Sequence, residues 1–249
     1  MPSRRELLRQ LPGFGLGVAA TTTLAGYPPA SAAADTRNPV FRHGVASGDP
    51  DEHSVVLWTR VTSPEPDRTS SVRWELASDQ GFTELIGAGR FRTGPARDHT
   101  VKVLAGGLEP GSRYFYRFEL DGVSSEIGRT RTLPVGHLER LGIAIASCSN
   151  YPFGYFNAYE AIAADPEVDL VVHLGDYIYE YGAAGWGSAV GAGIDRLHKP
   201  ENEIVSLSDY RIRHAQYKSD AGSRAMHAAH PLIAIWDDHE SANNPWIGG

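Results

Sequence analysis

The chain has 249 residues, enough for one large or two ordinary domains. With 41% hydrophobic and 21% charged residues it is not an intrinsically disordered chain, and a net charge of -7 argues against a general affinity for nucleic acid. The single cysteine, Cys148, excludes an internal disulfide.

In chain order, the first element is an address rather than a fold. Arg4 and Arg5 in "SRRELLRQL" precede a weakly apolar run from Leu11 to about Ala25, and "PPASAAAD" offers small residues at Ala30/Ala32 or Ala32/Ala34. This is the layout of an export signal over residues 1–34, and the paired arginines, with Ser3 before them and Leu7 and Leu8 after, resemble a twin-arginine signal. The alternative is an ordinary secretory signal. The twin-arginine route carries folded proteins, which has a physical motive when a cofactor must be inserted before export. The apolar run is too short, and too rich in Gly, Thr and Pro, to anchor the chain stably in a membrane. No cysteine near the cleavage region offers a lipid attachment point.

Residues 38–134 read as β structure. "SVVLWTRV" (Ser54 to Val61), "VRWELAS" (Val72 to Ser78), "HTVKVLA" (His99 to Ala105) and "YFYRFEL" (Tyr114 to Leu120) are short runs rich in β-branched and aromatic residues. They are punctuated by "SGDPDE", "SPEPD", "EPGS" and "LDGV". Such spacing without a helical period predicts a β-sandwich. "GLEPGSRYFYRFE" resembles a segment of fibronectin type III domains, so Leu108 and Tyr114 are expected in the core, with Tyr116 packing beside them. "TLPVGHLERL" follows as a linker.

From Leu141 the pattern changes. "LGIAIASCSN", then a helical spacing at Phe156, Tyr159, Ile162 and Ala163, then "DLVVHLGD" read as strand, helix and strand. "PLIAIWDDHE" is a third strand, after a segment from Ser206 to His230 in which Tyr210, Arg211, Arg213 and Tyr217 are expected on a helix. Continuous apolar strands of this kind predict a parallel α/β sheet covered on both faces over residues 140–249. All three strands end in polar groups: Cys148-Ser149-Asn150, Asp176 with Tyr179, and Asp237 to Glu240. Ligands in open α/β sheets bind beyond the carboxyl ends of the strands, so these groups are expected to converge. Carboxylate and phenolate donors suit Fe³⁺, and carboxylate and amide oxygens suit Ca²⁺.

"GDYIYEYG", "ASC" and "WDDHE", with "FRHGVASGDPDEHSVVLWTRV" and "DYRIRHAQYKSD", resemble the PhoD-like alkaline phosphatases and phosphodiesterases, a branch of the calcineurin-like metallophosphoesterases. The resemblance runs from the export signal to the end of the chain. It implies a fibronectin-like β-sandwich over 38–134 followed by the first part of an α/β metallophosphoesterase domain. Cys148, Asp176 and Tyr179 match Fe³⁺ ligands. Asp176 also touches the Ca²⁺ side, where Asn244 matches an asparagine ligand, with Asn243 its neighbouring alternative. Asp238 is assigned to the metal edge, and His239 to the phosphate oxygens or the leaving group. Two cations activating a water would then hydrolyse a phosphate mono- or diester, in an exported, monomeric enzyme. The family's remaining ligands have no counterpart before Gly249, so the chain is expected to be a fragment, truncated at its C-terminus and poorly active alone.

Other residues read more plainly. His173 is expected as a core histidine, Tyr177 and Tyr181 as packing, Glu180 and Glu240 as supporting or surface groups, and Arg211 and Arg213 as a pair on a helix surface. Ser147 and Ser149 have no evident base for a phosphoserine route. The reading from another class is an extracellular β-sandwich binding module, which would need no metal constellation.

Overall fold

The computed structural model describes residues 38–63 and 65–246. The export signal expected around Arg4, Arg5 and Ala30–Ala34 lies outside them. Two sheets organise the described chain. One is five-stranded and antiparallel: β3 (Ser70–Ala77), β4 (Leu85–Thr93), β6 (Arg113–Leu120), β7 (Val123–Ser124) and β8 (Gly128–Arg131). The other runs in the order β5 (Thr100–Gly106), β2 (Ser54–Arg60), β1 (Val45–Gly48), β11 (Pro231–Ala234), β10 (Leu170–His173), β9 (Ile143–Ala146).

That second sheet joins the early and late parts of the sequence. Its β5, β2 and β1 are antiparallel, and its β11, β10 and β9 are parallel. The junction is β1 beside β11, in parallel, with Ser47 opposite Pro231. Alternation along β2 and β6 places Val55, Leu57, Tyr116 and Phe118 in a core shared by the two sheets, together with Val72, Leu76 and Val101. Leu108 and Tyr114 are buried there too, and the Tyr114 hydroxyl accepts the Glu109 N–H at 2.9 Å.

A second core lies under the helices. It gathers Phe156, just before the first helix, Tyr159 within it, Val171 of β10, Ile178, Ile204, and Tyr217 and Met226 from the last two helices. The first helix, α1 (Asn157–Ala164), stops ahead of Pro166, whose ring disfavours helical backbone in the preceding residue. A short α2 (Ser188–Gly193) follows β10. The helix expected around Tyr210 to Tyr217 is α3 (Leu207–Lys218), and a separate helix, α4 (Ala221–Ala229), follows it. The break falls at Asp220, whose carboxylate accepts the N–H groups of Gly222 and Ser223 and so starts a new helix. Ser206 and Asp209 form a reciprocal cap at the start of α3.

The parallel strands are not covered on both faces. Ala144 and Ala146 of β9 turn toward the helices, while Ile143 and Ile145 are 48% and 67% exposed on the other face. Among the described residues β9 is a sheet edge and no element lies over that face. Leu174, Ile235 and Trp236, just past the ends of β10 and β11, are exposed as well.

Candidate metal centre

The ends of β9, β10 and β11 are laced together by their own backbones. Beyond β9, the Cys148 N–H donates to Gly175 O (3.2 Å) and the Ser149 N–H to Asp176 O (3.0 Å). The Ser149 hydroxyl adds a bond to Tyr177 O at 3.1 Å. Gly175 has φ +98°, and a Cβ there would lie 2.4 Å from the Cβ of Asp237, so only glycine lets the two strand ends approach so closely. Cys148, Asp176 and Asn244 all hold positive φ (58°, 52° and 48°), a conformation that costs a non-glycine residue energy and persists where the surroundings enforce it.

Glu240 does much of that enforcing. Its Oε2 accepts the N–H groups of Asp176 (3.0 Å) and Asp237 (2.7 Å), and its Oε1 those of Tyr177 (2.6 Å) and Ile178 (3.3 Å). One carboxylate thus fixes the loop after β10 to the turn after β11. On the far side of that loop stands Arg213 of α3. It was expected on the helix surface, but it is fully buried, because Tyr210, Arg213 and Tyr217 share one helical face turned inward. Its guanidinium donates to the carbonyls of Tyr179, Tyr181 (2.7 Å) and Lys199 (2.9 Å). A buried guanidinium with carbonyl partners behaves as a rigid clamp for the "DYIYEY" loop.

Within this frame Asp176, Asp238 and His239 each present a donor atom within 4.8 Å of the others, close enough to share a cation. Asp176 and His239 are buried and Asp238 is partly exposed. The Tyr179 hydroxyl donates to Asp176 Oδ2 at 3.0 Å, and its ring stacks on the His239 imidazole with centroids 4.3 Å apart. Burial, with Asp176 and Cys148 beside it, pushes the Tyr179 phenol well above its ordinary range, so the chain by itself holds it protonated. His239 Nδ1 meets Glu180 Oε2 at 2.8 Å, and Glu180 Oε1 accepts the Asn243 N–H at 2.8 Å. The Asn244 N–H donates to Asp238 Oδ2 at 2.6 Å, which holds the Asp238 carboxyl below its usual range. Cys148 is exposed, and so is Asn244.

The donor set fits a hard cation. Two carboxylates, an imidazole and a phenol that already points at a carboxylate oxygen make a mutually repelling cluster once the phenol ionises, and a cation relieves that repulsion. The supporting carboxylate on His239 is of the kind that orients a metal-ligating or phosphate-facing histidine. Sequence reasoning left Glu180, Glu240 and Arg213 in minor parts. The signals were present: Asp237 and Glu240 have the spacing of a reciprocal helix cap, and Tyr210, Arg213 and Tyr217 have the spacing of one helix face.

Family comparison bears on the same residues. Residues 143–249 match the model of the PhoD-like phosphatase, and residues 27–134 that of the PhoD-like phosphatase N-terminal domain. The chain belongs to the PhoD-like phosphatase family. It is 41% identical over 252 residues to alkaline phosphatase D of Bacillus subtilis strain 168, covering 97% of this chain and 42% of that protein. A solved structure described as the structure of PhoD superposes with a TM-score of 0.76 at 43% identity, over 83% of this chain and 40% of that one. This member of the PhoD-like family therefore spans less than half the length of either relative. No helix among its described residues is long and apolar enough to cross a membrane.

Proposed function

We propose that the chain carries the first part of the catalytic site of an exported, metal-dependent phosphoesterase acting on phosphate mono- or diesters. The observation that carries this reading is the grouping of Asp176, Asp238 and His239 in a chain of the PhoD-like phosphatase family. In this account Cys148, Asp176 and Tyr179 would hold an Fe³⁺, and Asp176 and Asn244 a Ca²⁺, with Asp238 at the metal edge. The α/β part is the beginning of a metallophosphoesterase domain, and residues 38–134 a fibronectin-like sandwich before it.

The chemistry supplied by the cations when bound is Lewis acidity, which polarises the phosphate oxygens and makes a water nucleophilic. The chain's own residues do the rest. Asp176 is held at the strand end by Glu240 and by Tyr179, so its two oxygens face fixed directions. Tyr179 would present its phenol oxygen to the iron from a position that Arg213 fixes through the Tyr179 carbonyl. With His239 Nδ1 bonded to Glu180, Nε2 is the nitrogen left for the phosphate oxygens or the leaving group. No protein nucleophile is needed.

Because the chain spans 42% of its relative, we expect it to hydrolyse esters weakly by itself and fully only when extended by the rest of a PhoD-like protein. Metal analysis of that extended protein tests the assignment. Iron and calcium should copurify with it and be lost in Asp176→Ala; a metal content unchanged by that substitution would remove Asp176 from the centre.

A further inference from the structure

Alongside α3, next to the side chains that reach Tyr177 and Glu240, lies a cavity of about 470 Å³, within the range of small-molecule sites. It is bounded by β2, by the turn between β4 and β5, and by α3. Its walls are of two kinds. Trp58, Leu207 and Tyr210 give a broad apolar and aromatic surface. Arg97, Arg211 and Lys218 bring three cations, none of which has a carboxylate partner among the described residues. A fourth cation, Arg60, is already neutralised by a two-point pair with Asp98, at 2.9 and 2.8 Å, and Asp98 is the one acid in the lining.

The cations are held in place. Arg211 is tethered to the Ala96 carbonyl at 2.8 Å, which leaves its other N–H groups unspent on that contact. The Lys218 ammonium sits 5.0 Å from the Trp58 ring centroid and 3.1 Å from the Tyr177 hydroxyl. Surrounding protein lowers Lys218 to about 8, so at neutral pH the ammonium is still the main form. Three cations around an aromatic wall, one of them stacked on that wall, attract an anion while the wall receives a flat apolar body.

We propose that this cavity binds an aromatic phosphate or phosphonate, its ring against Trp58 and Tyr210 and its anionic group among Arg97, Arg211 and Lys218. The site shares none of its lining with the candidate metal ligands, so the proposal stands or falls apart from the phosphoesterase reading. It meets that centre along α3: Tyr210 donates to the Glu240 carbonyl at 3.1 Å, and Lys218 contacts Tyr177.

The test is calorimetric titration of the purified chain with phenylphosphonate, a non-hydrolysable probe, in excess EDTA so that no cation at the metal centre captures the anion. One saturable site is expected. The double reversal Arg97→Glu/Arg211→Glu, at accessible positions where folding should survive, should weaken it by about tenfold or more. Trp58→Leu should weaken phenylphosphonate about fivefold more than it weakens methylphosphonate, which separates ring recognition from the charge of Lys218 that rests on the same ring. No binding by the unmodified chain would overturn the proposal, and so would binding that survives the double reversal in a variant with unaltered circular dichroism.

Discussion

Replacing Glu240 by Gln changes one oxygen to an amide nitrogen at nearly constant shape. Each carboxylate oxygen accepts two backbone N–H groups, so either orientation of the new amide turns an NH₂ toward two donors. One orientation strands Tyr177 and Ile178, the other Asp176 and Asp237. A hydrogen bond to a charged group contributes about 1.5–3 kcal/mol, and Glu240 is only half-buried, so water recovers part of the loss; the expected destabilisation is about 2–4 kcal/mol. For a domain of this size that lowers the melting temperature by roughly 4–16 °C. Glu240→Ala, which removes all four bonds, should cost at least as much. Thermal denaturation followed by circular dichroism is the assay. A Gln variant that melts within about 1 °C of the parent would refute the view that this carboxylate holds the two strand ends together.

Stability should also fall with acidity in a window set by buried histidines. Burial and the nearby Arg213 lower His198 to about 3 from its ordinary 6.5, so the unfolded chain binds the proton first and stability, complete above pH 6.5, declines as pH falls toward 3. Each such histidine contributes up to about 1.4 kcal/mol per pH unit, and His198→Gln should flatten the slope of urea stability between pH 6.5 and 4 by that amount; an unchanged slope would contradict the assignment. If Tyr179 is an iron ligand, the extended, iron-loaded protein should be coloured by charge transfer to the metal, and Tyr179→Phe should shift or bleach the band; an identical spectrum would remove Tyr179 from the centre. Replacing Arg4 and Arg5 by Lys should block export, and normal secretion of that variant would leave the twin-arginine reading without support.

Much of the fold was legible because it rests on local pattern. The strands around Leu57, Val72, Val101 and Tyr116 fall within a residue or two of their expected ends, since alternation and turn residues mark them directly. β4 (Leu85–Thr93) escaped because its exposed, glycine-interrupted "LIGAGRFRT" lacks an apolar stripe. The pairing of β1 with β11 could not be read either: it joins residues some 180 positions apart, and the four-residue β1 carries no signal of its partner. At the site, the motif residues were visible as a cluster of unusual strand endings. Their supports showed only as spacings, a reciprocal cap for Glu240 and one helix face for Arg213, and these do not announce burial: an arginine on a helix is ordinarily solvated, and the three carbonyls that curl around Arg213 make its burial tolerable.

Release of nitrophenol from mono- and bis-nitrophenyl phosphate at alkaline pH tests the central claim most directly. The chain extended by the remainder of a PhoD-like phosphatase should turn over these esters, lose activity on chelation, and lose it in Asp176→Ala, while the 249-residue chain alone releases little. Turnover that persists through chelation and in Asp176→Ala would contradict the assignment of this centre to phosphate ester hydrolysis.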